Sequence, residues 1–313
     1  MLITSIPQGM RIDCPAKLNL FLDIHGKRPD GFHELETVMV TVGLFDTLVF
    51  REEKSDCVTL RCLDARGDGN TPDASVATAP IPTDERNLVV RAANLLKKRA
   101  GVSRGVSIDL YKRIPSPAGL AGGSSDAAAT LATLNRFWSL GFSSDELISL
   151  AAELGSDIPF FLASSPLAVC RGRGELISPM EPAFRAWSVI VSPWVGLSTA
   201  DVFRQWTPSE TPRDSSELQT SLRAGNILGV ARNLHNSLQP PAEQLCPLLV
   251  QLARSFETVL PGRHQMSGSG TSWFGLCESR HAARQAAARL NALRLGRVFV
   301  AETCPYSGEK QHP

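Results

Sequence analysis

Residues 115–126 read Pro-Ser-Pro-Ala-Gly-Leu-Ala-Gly-Gly-Ser-Ser-Asp, and an alanine-rich run (Ala127, Ala128, Ala129, then Leu131, Ala132, Leu134) follows at once. Gly119, Gly122 and Gly123 lack a Cβ, so the backbone there takes positive φ readily and approaches a ligand closely. Ser124, Ser125 and Asp126 are residue types that cap the first turn of a helix. Unbonded N–H groups and the positive end of the helix dipole at such a turn attract a polyphosphate. The spacing excludes two common phosphate motifs: the Gly-Lys-Ser/Thr ending of a Walker loop is missing, and so is Gly-x-Gly-x-x-Gly. A glycine-rich turn capping an ordinary core helix fits the same residues, and the stretch alone leaves both readings open.

At 313 residues the chain has the length for two domains, with an expected boundary after residue 165. Residues 1–165 form the expected N-terminal half and 166–313 the C-terminal half. With 32 Lys+Arg against 31 Asp+Glu the net charge is +1, so no global field draws nucleic acid or an anionic membrane, and any anion site is local. No segment has the length and apolarity of a membrane span or the form of a leader, so a cytoplasmic protein is expected, with no obligate protein partner inferred. The seven cysteines form no Cys-x-x-Cys pair, which argues against zinc or a redox couple and for buried thiols.

Strand-like runs occupy Leu18 to Ile24, Thr37 to Val42 and Thr47 to Phe50. The Asp-, Gly- and Pro-rich stretch from Arg61 to Pro82 reads as a surface insertion without a role in chemistry. Asn87 is placed to cap a helix over Leu88 to Lys98, and Val106 to Leu110 reads as the strand entering the glycine loop. A helix over Ala127 to Phe137 and a second one opened by the capping box Ser143-x-x-Glu146 follow. Beyond Ala163, strands (167–170, 187–192, 272–277, 297–303) alternate with helices within 199–260 and at 279–293. No long parallel βαβ series is visible, so the class is α+β.

Four further segments carry chemistry-bearing residues. Lys17 and Asn19, in Pro15-Ala16-Lys17-Leu18-Asn19-Leu20, share one face of a strand, where either partners or solvent must satisfy them. Asp30-Gly31-Phe32-His33-Glu34 follows the basic tripeptide of Gly26, Lys27 and Arg28. Phe32 there either presents a face to a flat ring or tucks into the core beyond a β-turn. Asp157, in Gly155-Ser156-Asp157-Ile158-Pro159, is either a general base beside an alcohol or a capping carboxylate. Met266-Ser267-Gly268-Ser269-Gly270-Thr271 is a second small-residue loop, able to close over phosphates or to end a helix.

Taken in this order, these segments resemble the GHMP small-molecule kinases, and the similarity runs from about Ile12 to Thr303. The resemblance implies a two-domain α+β fold with the active site in the interdomain cleft and ATP and Mg²⁺ as cofactors. The first two segments are similar to those of the branch that phosphorylates the 2-hydroxyl of a cytidine-diphosphate-linked methylerythritol in the non-mevalonate isoprenoid route. By motif, the resemblance implies Asp157 as the base, Lys17 as its charged partner and Asn19 as a holder of the polyol. It implies Phe32, His33 and Phe203 around the cytosine. The ATP phosphates fall to Pro115, Ser116, Pro117, Ala118, Gly119, Leu120, Ala121, Gly122, Gly123, Ser124 and Ser125, with Ser124 a neighbour of the metal and Asn87 and Lys112 near the adenosine. Gly268, Ser269 and Gly270 form the second glycine loop. Phe32 departs from the family pattern, where Tyr is usual, which keeps stacking and removes a hydroxyl contact. Kinases for homoserine, mevalonate or a sugar remain alternatives, as does a non-catalytic nucleotide-binding relative; a small unlinked alcohol gives no reason for an aromatic-His loop.

Overall fold

The computed structural model describes residues 3–65, 81–163, 165–181, 183–209 and 211–303. In chain order the first elements are β1 (Ile3–Ile6), β2 (Gly9–Lys27), β3 (His33–Glu53), β4 (Val58–Asp64), α1 (Leu88–Ala100), β5 (Gly105–Lys112), α2 (Gly122–Phe137), α3 (Ser144–Leu154) and α4 (Ile158–Leu162). Then come β6 (Leu167–Gly172), β7 (Leu176–Pro179), β8 (Trp187–Pro193), α5 (Thr199–Gln205), α6 (Ser216–Arg223), α7 (Ile227–Arg232) and β9 (His235–Asn236). The chain closes with α8 (Gln239–Leu245), α9 (Pro247–Val259), β10 (His264–Met266), β11 (Trp273–Cys277), α10 (Arg280–Asn291) and β12 (Gly296–Glu302). The mixture of helices and largely antiparallel strands bears out the α+β class.

Two compact units are drawn from interleaved segments. One takes residues 3–16, 44–65, 81–115 and 121–163 of those described. Its strands are β1 against the start of β2, the end of β3 antiparallel to β5, and β4 parallel to β5. Helix α2 packs on α1 and α4, burying Ala127, Ala128 and Ala129, whose small side chains allow close approach of the helices. Asn87 caps α1 by accepting from the Val89 N–H, and Ser143 and Glu146 form the expected capping box of α3.

The other unit takes residues 17–43, 116–120 and the described residues from 165 onward. β6 pairs antiparallel with the first half of β3, β7 with β6, and β9 parallel with β2. A second, antiparallel sheet runs in the order β10-β11-β8-β12. Its core joins Val189 and Val191 to Trp273, and Leu249, Leu252 and Phe256 of α9 to Ala283 and Leu290 of α10. Each large apolar side chain withdrawn from water there stabilises the unit by about 1.5–3 kcal/mol before the cost of ordering the chain.

Three expectations change. Thr37 to Val42 and Thr47 to Phe50 are one strand, because β6 hydrogen-bonds the first part of β3 and β5 the last part. Arg61 to Asp64 is not insertion but the end of β4, held in register with Asp109 to Lys112; residues 66–80 of that stretch lie outside the described residues. Ser124, Ser125 and Asp126 do not cap α2 from outside. The helix starts at Gly122 after an N-cap Ala121 in the left-handed region, with no side-chain cap bond.

Candidate active site

The second unit encloses the Lys17–Asn19 pair. Both lie on one face of β2 with exposures of 3% and 2%, so they do not face water on an edge strand. A buried ammonium needs acceptors, and Lys17 Nζ donates to Asn19 Oδ1 at 2.5 Å and to the Gly119 carbonyl at 3.0 Å. Asn19 Nδ2 donates to Thr37 Oγ1 at 2.8 Å, which fixes the orientation of the amide. That leaves one amide hydrogen of Asn19 for a further acceptor.

Two glycine loops press on this pair. Gly119 has φ +73, and a Cβ there would lie 2.1 Å from the Ser267 carbonyl oxygen. Gly268 has φ +59, and a Cβ would stand 3.2 Å from both Lys17 Nζ and Asn19 Oδ1. Ser267 Oγ donates to the Gly119 carbonyl at 3.0 Å, while Asn236 Nδ2 donates to the carbonyls of Met266 and Gly268 at 2.9 and 2.8 Å. Ser269 Oγ pairs with Thr199 Oγ1 at 2.9 Å, and Gly270 also has positive φ. The loop containing Ser116, Pro117, Ala118, Gly119 and Leu120 is tied down by its own carbonyls, with Ala118 accepting from the Ser272 N–H and Leu120 from the Lys17 N–H.

In the first unit, α2 carries the rest of the glycine stretch. Ala121 contributes no side-chain cap, and the first N–H groups of an α-helix have no partner inside it. Those of Gly122, Gly123 and Ser124 therefore make a natural anion seat, so a polyphosphate fits. Among the described residues no three or more His, Cys, Asp or Glu side chains stand as a metal cage. The Ser124 hydroxyl in the first turn of α2 is an oxygen of the kind that Mg²⁺ takes alongside substrate phosphates. Pro115 is the first residue of the stretch. Ser125 Oγ is buried and has no hydrogen-bond partner among the described residues.

Beneath the helix start is a buried ion cluster. Lys112 Nζ pairs with Asp126 at 2.8 Å and with Asp46, whose other oxygen accepts from the backbone N–H groups of Arg113 and Ile114 at 2.5 and 2.8 Å. Burial pushes the Lys112 ammonium down, but Asp126 and Asp46 together outweigh it and hold it charged. Burial raises the Asp126 carboxyl, and Lys112 opposes that only in part. A Cβ on Gly122 would come within 2.7 Å of Lys112 Nζ, so the cluster sets where the helix can begin. The Lys112 ammonium is thus committed to carboxylates, and the Asn87 amide to Val89 N–H and the Pro82 carbonyl.

Asp157 is the N-cap residue of α4 but makes no side-chain cap bond, which removes the capping account of it. Ile158, Phe160 and Phe161 are buried behind it and fix the corner on which the carboxylate stands.

The aromatic loop belongs to the second unit. Phe32 is not tucked into the core: it is 48% exposed, and its N–H donates to Asp30 Oδ1 at 3.1 Å in the turn. The His33 ring lies 5.0 Å from that of Phe203 and 5.7 Å from that of Trp206. Burial, then the charge of Lys27, lowers the His33 pKa, favouring a neutral ring at pH 7. Trp206, Thr37 and Arg173 escaped the sequence reading. Only Trp206 left a signal, a second aromatic three residues after Phe203; it follows α5 as the C-cap residue, in extended backbone.

Residues 87–165 match the GHMP kinases N terminal domain family and residues 218–293 the GHMP kinases C terminal family. With the glycine-opened alanine helix, these matches define the class: GHMP kinases, ATP-dependent enzymes acting on small molecules. A 4-diphosphocytidyl-2-C-methyl-D-erythritol kinase of Shouchella clausii is 39% identical, with 95% of this chain and 97% of that protein covered. The protein of the same name from Pelotomaculum thermopropionicum is also 39% identical, over 88% of this chain and 91% of its own. A crystal structure of 4-(cytidine 5'-diphospho)-2C-methyl-D-erythritol kinase superposes with a TM-score of 0.75 at 34% identity, covering 94% of this chain and 99% of that one. The chain belongs to the 4-diphosphocytidyl-2-C-methyl-D-erythritol kinase family. A mevalonate kinase from L. major, at 15% identity and a TM-score of 0.71 over 97% of both chains, shares the fold.

Proposed function

We propose that the protein transfers the γ-phosphoryl group of ATP, with Mg²⁺, to the 2-hydroxyl of 4-diphosphocytidyl-2-C-methyl-D-erythritol, a step in the non-mevalonate route to isoprenoid precursors. Asp157 takes the hydroxyl proton, and Lys17 is its charged partner in the reaction. The anion seat from Pro115 to Ser125 and the loop of Gly268, Ser269 and Gly270 hold the phosphates. Asn19 locks Lys17 and turns its remaining amide hydrogen to the polyol. Asn87 and Lys112 support the nucleotide half, Asn87 by starting α1 and Lys112 by fixing the start of α2. Phosphoryl transfer asks little covalent chemistry of the protein: it needs alignment of donor and acceptor and neutralisation of charge on the transferring oxygens. Within residues 1–165 the glycine stretch is assigned to ATP, while Asn19, Phe32 and His33 of the same half and Phe203 of residues 166–313 are assigned to the alcohol substrate.

The observation that carries this reading is the enclosure of a buried Lys–Asn pair by two glycine loops, both built so that a Cβ would obstruct them. The aromatic loop supplies the preference for a cytidyl substrate, with the Phe32 ring stacking on cytosine and His33 and Phe203 bounding it. Stacking one base on an aromatic ring is worth about 1–3 kcal/mol, so Phe32→Ala should raise the KM for the cytidyl substrate by about 10- to 100-fold. The KM for ATP should stay within about twofold. Steady-state kinetics with each substrate varied in turn measures this; equal losses for both, or for neither, would remove the stacking role.

A further inference from the structure

Arg173 occupies the turn between β6 and β7, flanked by Gly172 and Gly174 with φ values of +73 and +112. Those conformations suit glycine, so the turn is shaped to present the one long side chain between them. The Arg173 guanidinium carbon lies 4.5 Å from the centroid of the Phe32 ring. From behind, Glu175 steadies it: one carboxylate oxygen accepts the Arg173 backbone N–H at 2.6 Å and the other stands 3.6 Å from Nε.

A guanidinium has five N–H donors, and a ring face with one long carboxylate contact occupies few of them. A neighbouring cation, Arg28, is not available in the same way. Arg28 is bound to Asp30 and Glu34, at 3.1 and 3.0 Å. Arg173 therefore places donors and positive charge directly beside the exposed aromatic surface. Arginine is the side chain best matched to a phosphate in such a place, because its planar fork makes paired, charge-assisted hydrogen bonds while its face packs on a ring.

We infer that Arg173 is a specificity-determining residue that reads the diphosphate attached to the base, with Phe32 taking the base and Arg173 the anion that follows it. This rests on the reading of Phe32 as the base platform. It adds that the platform prefers a nucleoside diphosphate over the bare nucleoside.

The test is calorimetric titration of the full chain with cytidine and with cytidine diphosphate, in the wild type and in Arg173→Ala, Arg173→Lys and Phe32→Ala. The wild type is expected to bind the diphosphate more tightly than the nucleoside. Arg173→Ala should remove about tenfold or more of that advantage, since a hydrogen bond to a charged group is worth about 1.5–3 kcal/mol, and should leave cytidine binding within about twofold. Arg173→Lys, keeping charge without the fork, should fall between. An unchanged diphosphate advantage in Arg173→Ala, or no advantage in the wild type, would overturn the inference, as would an equal loss for both ligands. Phe32→Ala separates the two layers: it should weaken both ligands together, and unchanged cytidine binding would refute the base platform itself, whatever Arg173 does.

Discussion

Replacing Asp157 by Asn lowers kcat by about 10²–10⁴, the range lost when a positioned general base is removed, while ATP binds as before. The substitution keeps the size and backbone of the residue and deletes the capacity to accept a proton. Because Asp157 makes no cap bond to α4, the variant gives up no helix cap. Its corner is anchored by Ile158, Phe160 and Phe161, none of which is touched. Single-turnover phosphate transfer together with equilibrium binding of an ATP analogue measures both halves. Wild-type turnover in the variant removes Asp157 from the mechanism, and a parallel collapse of ATP binding shows a structural role instead.

Lys112→Met should cost about 3–5 kcal/mol of stability, the penalty for breaking a buried ion pair from one side. The methionine fills much of the lysine's volume, so the loss reports charge rather than a cavity. It leaves Asp46 and Asp126, both buried, facing each other with no cation between them. Changing all three together, Lys112→Met with Asp46→Asn and Asp126→Asn, should recover much of the loss, because no uncompensated charge then remains. Denaturant unfolding of the single and triple variants decides it. A single-variant loss under about 1 kcal/mol, the level of an exposed pair, would mean that the cluster is solvated in solution.

That cluster also marks where the sequence stopped being readable. The start of α2 was legible because glycine, serine and alanine have local preferences, but Asp126 looks like a cap from its neighbours alone. Its partner Lys112 is the last residue of β5, and Asp46 lies in β3; only the tertiary fold brings them together. The same limit applies to β4. Arg61 to Asp64 reads as polar loop, and its strand character comes from parallel pairing with residues 109–112, far along the chain. By contrast the Ser143 and Glu146 box and the Asn87 cap are local devices, and both stand where the sequence placed them. Lys17 and Asn19 were recognisable as a pair by strand spacing. Their enclosure was not, since Gly119 and Ser267, the residues that complete it, are separated from Lys17 and from each other by more than a hundred positions. Arg173 carried no local signal at all; a lone arginine between glycines reads as a solvated turn.

The most direct measurement offers the full chain ATP and Mg²⁺ with an equimolar mixture of 4-diphosphocytidyl-2-C-methyl-D-erythritol, homoserine and mevalonate, and follows the phosphorylated products by ³¹P NMR. The predicted spectrum gains one phosphomonoester, on the 2-hydroxyl of the cytidyl compound, while the other two alcohols stay unmodified. Phosphorylation of homoserine or mevalonate with the cytidyl compound left untouched would contradict the account.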